Sequence, residues 1–130
     1  MRAKLLLAGL SVLMVVACAT PQERAYETAV NDYKRQQAYV AEYTRANVKQ
    51  LVGATKTFHV SVGRWPRTLI ELSDFALDNH VPLTYPAFNE VTFAVLDDGS
   101  VQVHYEVNCD RFKHGQYEFS QTGSVNVKAK

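Results

Sequence analysis

The chain has 130 residues, room for one domain. Its 14 basic and 13 acidic side chains leave a formal charge of +1, so the charge balance gives nucleic acid no hold. A glycine-rich phosphate loop, a cysteine pair, a His-Glu-x-x-His helix and a nucleophile elbow are all missing from the sequence, which argues against an enzyme and implies no cofactor.

In chain order, the first segment is a targeting signal. Arg2 and Lys4 make a short positive region. Residues 5–16 are apolar or small throughout, the length of a signal-peptide core and too short to cross a bilayer as a helix. "VVAC" at residues 15–18 then sets a small residue directly before a cysteine. This resembles the lipobox of bacterial lipoproteins, although Val15 stands where leucine is commoner. The resemblance implies cleavage after Ala17, a diacylglycerol on the Cys18 thiol, and membrane lipid as the first partner. Buried acyl chains contribute about 0.8 kcal/mol per methylene, and two or more make a stable anchor. Residue 19 is Ala rather than Asp, which for a lipoprotein of the Gram-negative envelope implies the outer membrane, facing the periplasm, over the inner one. The alternative is an ordinary secretory signal cut after Ala17 or Ala19. Without residues 1–17 the chain holds 12 basic and 13 acidic side chains, or −1, so membrane attachment would rest on the anchor. Once Cys18 is acylated, Cys109 is the single thiol, either buried or joined to another chain.

From Gln22 the pattern is helical. Tyr26, Val30, Tyr33, Gln37, Val40, Thr44, Asn47, Leu51, Thr55, Phe58 and Val62 follow one another at steps of four and three, which keeps one helix face in register. Glu27, Asp32, Arg35, Glu42, Arg45 and Lys49 lie away from that stripe. Gly53 costs about 1 kcal/mol within a helix but does not break the phase. "TFHVSV" at residues 57–62 is β-branched enough for a strand, yet Phe58 and Val62 hold the helical phase. One helix from about Gln22 to Val62 is expected, roughly 60 Å long. The remaining 68 residues cannot cover it, so its first half should stand out as a stalk or pair with another helix. The stripe there is Tyr, Gln and Ala, which is compatible with a homodimer through the stalk without requiring one.

"GRWPRTLIEL" follows, at residues 63–72. Gly63 sits where a glycine ends a helix. Pro66 forces Trp65 out of helical geometry. Thr68 and Glu71 match a capping box, with the hydroxyl accepting the Glu71 amide and the carboxylate reaching back to Thr68. A short helix from about Leu69 should turn Leu69, Leu72 and Phe75 or Ala76 inward. Trp65 is expected to pack at the corner, leaving Arg64 and Arg67 without a structural task. "HVPLTYPAFNE" at residues 80–90 reads as irregular surface loop.

Residues 91–107 read as a hairpin. A three-residue loop, Asp97-Asp98-Gly99, pairs Val95 with Val101, Phe93 with Val103 and Val91 with Tyr105, gathering the apolar side chains on one face. It also places Gly99 at the left-handed position of a bulged turn. The glycine-Ser-Val-polar-Val run recurs 24 residues later. A Gln121-Thr122-Gly123 loop would pair Phe119 with Val125 and Tyr117 with Val127. The expectation is an α+β fold: a long N-terminal helix packed by its C-terminal half on a four-stranded antiparallel sheet. Residues 1–17 would be signal, 18–45 a lipid-anchored stalk and 46–130 the head.

A long helix, then Gly63, Arg64, Trp65, Pro66, Thr68, Leu69 and Leu72 at these spacings, then an antiparallel sheet, resembles the type IV pilin and type II secretion pseudopilin family. The resemblance covers roughly residues 45–105 and implies a pilin-like head. It stops at the N-terminus, where a lipobox and a polar half-helix replace the prepilin-peptidase site and filament-core half-helix. A pilus subunit is therefore not implied.

Few residues suggest chemistry. His104 and Glu106 share the polar face of a strand, but two ligands are too few for a metal, and His59, His80 and His114 have no ligand spacing to them. Asp97-Asp98 lacks further oxygen ligands for calcium and reads as a turn. Asp110-Arg111-Phe112-Lys113-His114 is a polar link, or a small basic contact site. Tyr26, Tyr33, Tyr39 and Tyr43 lie on the stalk, and Tyr39 and Tyr43 fall off its stripe. Tyr39, Tyr43, Arg64 and Arg67 are therefore the candidate contacts for a protein partner in the envelope. The first functional reading is a structural or adaptor protein, and the second a periplasmic module binding a small ligand or glycan on the sheet's polar face.

Overall fold

A computed structural model describes residues 20–112 and 121–129, with the Arg111 side chain left aside. The chain divides into two compact units, 1–35 and 36–130. Helix α1 spans Pro21–Val62 and helix α2 Leu69–Asp78. Strands β1 (Phe88–Val95), β2 (Val101–Val107) and β3 (Gln121–Val127) follow, with short 3₁₀ turns at Tyr85–Ala87 and Asp110–Phe112.

In the first unit, α1 opens on a complete capping box that the sequence reading did not pick out. Thr20 Oγ1 accepts the Glu23 amide at 3.1 Å, and Glu23 Oε1 accepts the Thr20 amide at 3.0 Å. Pro21 takes the first helical position, where its missing N–H has no partner to lose. Asp32 and Arg35 pair one turn apart, at 3.1 Å.

In the second unit, the helical stripe is buried from Val40 to Phe58 through Asn47, Leu51, Ala54 and Thr55. Two of its polar members bond back to the helix, while the buried hydroxyl of a third, Thr44, has no hydrogen-bond partner among the described residues. Asn47 Nδ2 donates to Tyr43 O at 2.8 Å, and Thr55 Oγ1 donates to Leu51 O at 2.7 Å. Val62 departs from the expected stripe and is 45% exposed, because the helix stops immediately after it. Residues 57–62 are helix, not strand.

Gly63 ends α1 with φ +90°, its amide on His59 O at 2.9 Å. Thr68 caps α2 in an extended conformation, and Leu72 and Ala76 are buried as expected. The α2 exit is tighter than the sequence suggests. Val81 N donates to Ala76 O at 2.8 Å around His80, which takes φ +56° at a position glycine usually fills.

The described sheet has three antiparallel strands in the order β1-β2-β3. The first hairpin has the expected register: Val95 faces Val101, Phe93 faces Val103 and Val91 faces Tyr105. Gly99 lies at φ +88°. Two expectations fail. The loop read at residues 80–90 gives way to strand at Phe88, which pairs with Val107 across a bulge and is buried with Ala87. The second hairpin is also misread, since Gln121, Thr122 and Gly123 are not a turn but the first half of β3, opposite Val107, Glu106 and Tyr105. Gly123 is needed there for space rather than for curvature, because a Cβ would sit 2.5 Å from the Tyr105 hydroxyl. The fourth strand, with Tyr117 and Phe119, lies outside the described residues.

One core holds this unit together. Val40, Leu51, Ala54 and Phe58 of α1 and Leu72 of α2 join Trp65, Phe88, Val91, Val101, Val103, Val107 and Val127. Cys109, at 4% exposure, belongs to the same cluster, and its burial raises the thiol pKa.

Two glycines test this account with opposite signs. Gly53 is helical and exposed, and a Cβ there meets nothing within 4 Å. Gly53→Ala should stabilise by about 0.4–1 kcal/mol. Gly63→Ala should destabilise by about 1 kcal/mol, since its positive φ penalises a side chain. Urea unfolding of the two variants should move the midpoint up and down respectively.

Candidate functional site

The corner at residues 63–71 gathers the cations and the single tryptophan that drew attention in the sequence. Trp65 is 6% exposed, so it is a plug and not a surface grip. Its indole N–H donates to Gly99 O at 2.9 Å, joining the corner to the β1–β2 turn. The His59 ring lies 4.0 Å from it, tilted by 33°. Phe58 and Phe75 meet edge-on at 5.1 Å, bringing α1 and α2 together beside it.

Arg64 has a structural task after all. Its guanidinium grips the Glu71 carboxylate with both terminal nitrogens and also donates to Trp65 O at 3.1 Å. Its Cζ stands 5.4 Å from the Phe58 ring centroid. Glu71 consequently does not complete the expected capping box. Its amide is held by Thr68 Oγ1 at 3.1 Å, but its carboxylate accepts Arg67 N at 2.8 Å rather than the Thr68 amide. The pull of Arg64 dominates the electrostatics here, since a planar guanidinium matches a carboxylate in two places. Arg67 spends its backbone N–H on Glu71 and leaves its side chain exposed. Of the two arginines, Arg64 is neutralised by Glu71 while the Arg67 side chain stays exposed.

The Arg64 hydrogen bond, followed by the Arg67 amide, holds the Glu71 carboxyl at about 2, below its ordinary 4.5. The folded carboxyl has the lower pKa, so its stabilising effect is complete above about 4.5 and is lost as pH falls toward 2. Glu71→Gln should therefore lower stability most at neutral pH. Urea midpoints taken across the acid range should show the gap between the two proteins closing between pH 4.5 and 2.

The other candidates separate into exposed and packed residues. Tyr39 is 53% exposed on α1. Tyr43 is partly buried against the core, and its ring meets Phe112 edge-on at 5.2 Å, which removes most of it from a docking surface. Asp98 serves the turn: its Oδ1 accepts the Ser100 amide at 3.0 Å and hydroxyl at 2.6 Å, which lowers its pKa. Asp110 N donates to Asn108 Oδ1 at 3.0 Å within the polar link, while Lys113 and His114 lie outside the described residues. Cys18 and Ala17 also lie outside them.

The solvent side of the sheet forms a shallow depression of about 430 Å³ along Glu90, Thr92, His104, Glu106, Thr122 and Ser124. Glu90 faces Glu106 directly across the strands. Asn89 Nδ2 donates to the Glu106 carboxylate at 3.1 Å, and His104 Nε2 meets Gln102 Oε1 at 3.2 Å. Among the described residues no three His, Cys, Asp or Glu side chains are grouped to hold a metal, and no helix is long and apolar enough to cross a membrane.

No family model, curated protein or solved structure matches this chain.

Proposed function

We propose that this chain is a lipid-anchored protein of the bacterial cell envelope, attached through acylated Cys18, that presents a pilin-like head to a protein partner. It acts as a structural element or adaptor, without catalytic activity, on the periplasmic face of the outer membrane. The anchor rests on the lipobox-like "VVAC" and the apolar run before it. The pilin-like reading rests on the corner motif, its burial of Trp65 and the packing of α1 on an antiparallel sheet.

The observation that carries the partner is the exposure of tyrosine on α1. Tyr39 is 53% exposed beside Val40 at 1%, so it lies off the face that the fold itself buries. Tyr26, in the other unit, is 72% exposed. Tyrosine offers large contact area at low entropic cost, which is why interfaces concentrate it. The partner contacts at the corner reduce to Arg67, since Arg64 is engaged by Glu71.

Two measurements check this reading. Cys18→Ser should move the protein from the membrane to the soluble fraction, and continued membrane attachment counts against the anchor. Cross-linking in intact cells should capture a partner with the native chain and lose it with Tyr39→Ala. An unchanged capture would remove Tyr39 from the interface.

The depression on the sheet's polar face supports a second reading, a binding module for a small polar ligand or glycan. A ligand that binds only the folded state raises the melting temperature by mass action. A thermal-shift screen with saccharides should then give stabilisation that Thr92→Val and Thr122→Val diminish. A flat screen would leave the adaptor reading as the better one.

A further inference from the structure

The free edge of β1 carries an inference separate from the anchor and from the α1 tyrosines. Leu96 N donates to Ser100 O at 2.8 Å, so the backbone of Leu96 points toward β2. Direction alternates along a strand. Ala94 and Thr92 therefore also point toward β2, while Val91, Phe93 and Val95 turn their N–H and C=O groups away from it. Among the described residues β1 pairs with β2 alone, and no other backbone group of theirs bonds to those three residues.

The end of β1 nearest the turn is open on both faces. Ala94 is exposed on one side and Val95, at 65%, on the other. Natural sheets blunt such edges with lysine, proline or inward charge. Residues 91–95, Val-Thr-Phe-Ala-Val, contain none of these. A bulge and Glu90 protect only the far end of the strand.

We infer that this edge is a dimerisation surface on which a second copy of the chain lays its own β1, antiparallel and centred on Phe93. That register pairs all six outward groups at once: Phe93 with its own counterpart, and Val91 with the partner's Val95 in both directions. On the inner face it sets valine against valine and phenylalanine against phenylalanine, covering the exposed Val95. On the outer face it sets Thr92 beside the partner's Ala94 and Glu90 beside the partner's Leu96, so no like charges oppose. A two-fold contact of this kind closes on itself and stops at two copies.

The register supplies the test. Full chains carrying Cys18→Ser, with Cys109 buried, are given either Thr92→Cys or Ala94→Cys on the exposed outer face. Directly opposed β-carbons lie about 4.5–5.5 Å apart and diagonal ones about 7–8 Å, beyond the reach of a disulfide. Under mild oxidation, a mixture of the two variants should form a cross-linked dimer that neither forms alone. Adding Val95→Pro should abolish the cross-link, because only the outward N–H is lost and the β2 ladder is untouched. Val95→Lys does the same without altering the backbone, and serves if the proline variant does not fold. No excess of cross-link in the mixture, or a cross-link that survives Val95→Lys, overturns the inference. Dimerisation through α1, or an edge that takes only a foreign strand, would give the first of these results.

Discussion

The indole of Trp65 fixes the geometry on which the second unit depends. Its N–H reaches Gly99 O at 2.9 Å, across 34 residues of sequence. That bond joins the two reversals that define the fold, the exit from α1 and the turn between β1 and β2. Both reversals use a glycine at positive φ, Gly63 and Gly99. Neither is a strong local structure. Burying the indole between them makes each the support of the other, and the ring takes the apolar surface of His59 with it. A buried indole N–H without a partner would cost about 1–3 kcal/mol. The carbonyl of a tight turn is a suitable acceptor because it is fixed and points out of the ladder.

Around the indole, polar groups are spent locally. Arg64, Glu71, Thr68 and the Arg67 amide make one compact set in which every contact lies within eight residues. Pro66 fixes the chain so that α2 starts where this set can close. The same pattern appears at the Asp98–Ser100 turn and in the back-bonds of Asn47 and Thr55. The core is then largely apolar, with Asn47, Thr55 and Ser100 as its buried polar residues, and burial supplies most of the long-range order. Other polar contacts also reach across the sequence: Thr84 N donates to Gln50 Oε1 at 3.0 Å and ties the loop after α2 back to α1, and Asn89 Nδ2 donates to Glu106 at 3.1 Å.

What the sequence made legible follows from how local each signal is. The α1 stripe, the Thr68 cap and the Asp97-Asp98-Gly99 register depend on spacing alone, and each is found in the fold. Gly123 is different. In sequence it repeats the context of Gly99, so it reads as a second turn. In the fold it stands in a strand to admit the Tyr105 ring, and only knowledge of the strand opposite reveals that need. The task of Arg64 is hidden for a related reason: its partner lies seven residues away, on the next helix, and only the path of the corner brings the two together. The capping box at Thr20 and Glu23 is legible in the Thr-x-x-Glu spacing, just ahead of the expected start at Gln22. His80 carries no sequence mark at all, since its positive φ follows from the Ala76–Val81 bond that closes α2.

Where local choice and global fold disagree, function is the usual reason. Within the fold the buried polar side chains of Asn47, Thr55 and Ser100 are paired, and the one such disagreement there, among the described residues, is the buried Thr44 hydroxyl, which has no hydrogen-bond partner. The others lie on the surface. Gly53 weakens α1 in its interior although nothing in the fold needs the space. Glu90 opposes Glu106 where unlike charges would be better. Tyr39 and Val95 expose apolar surface, and β1 leaves an unguarded edge. None of these improves the stability of the isolated chain. An adaptor that meets a partner through α1 and its own copy through β1 would account for two of them, leaving Gly53, the acidic pair and the exposed Val60, Ile70 and Leu77 outside both contacts.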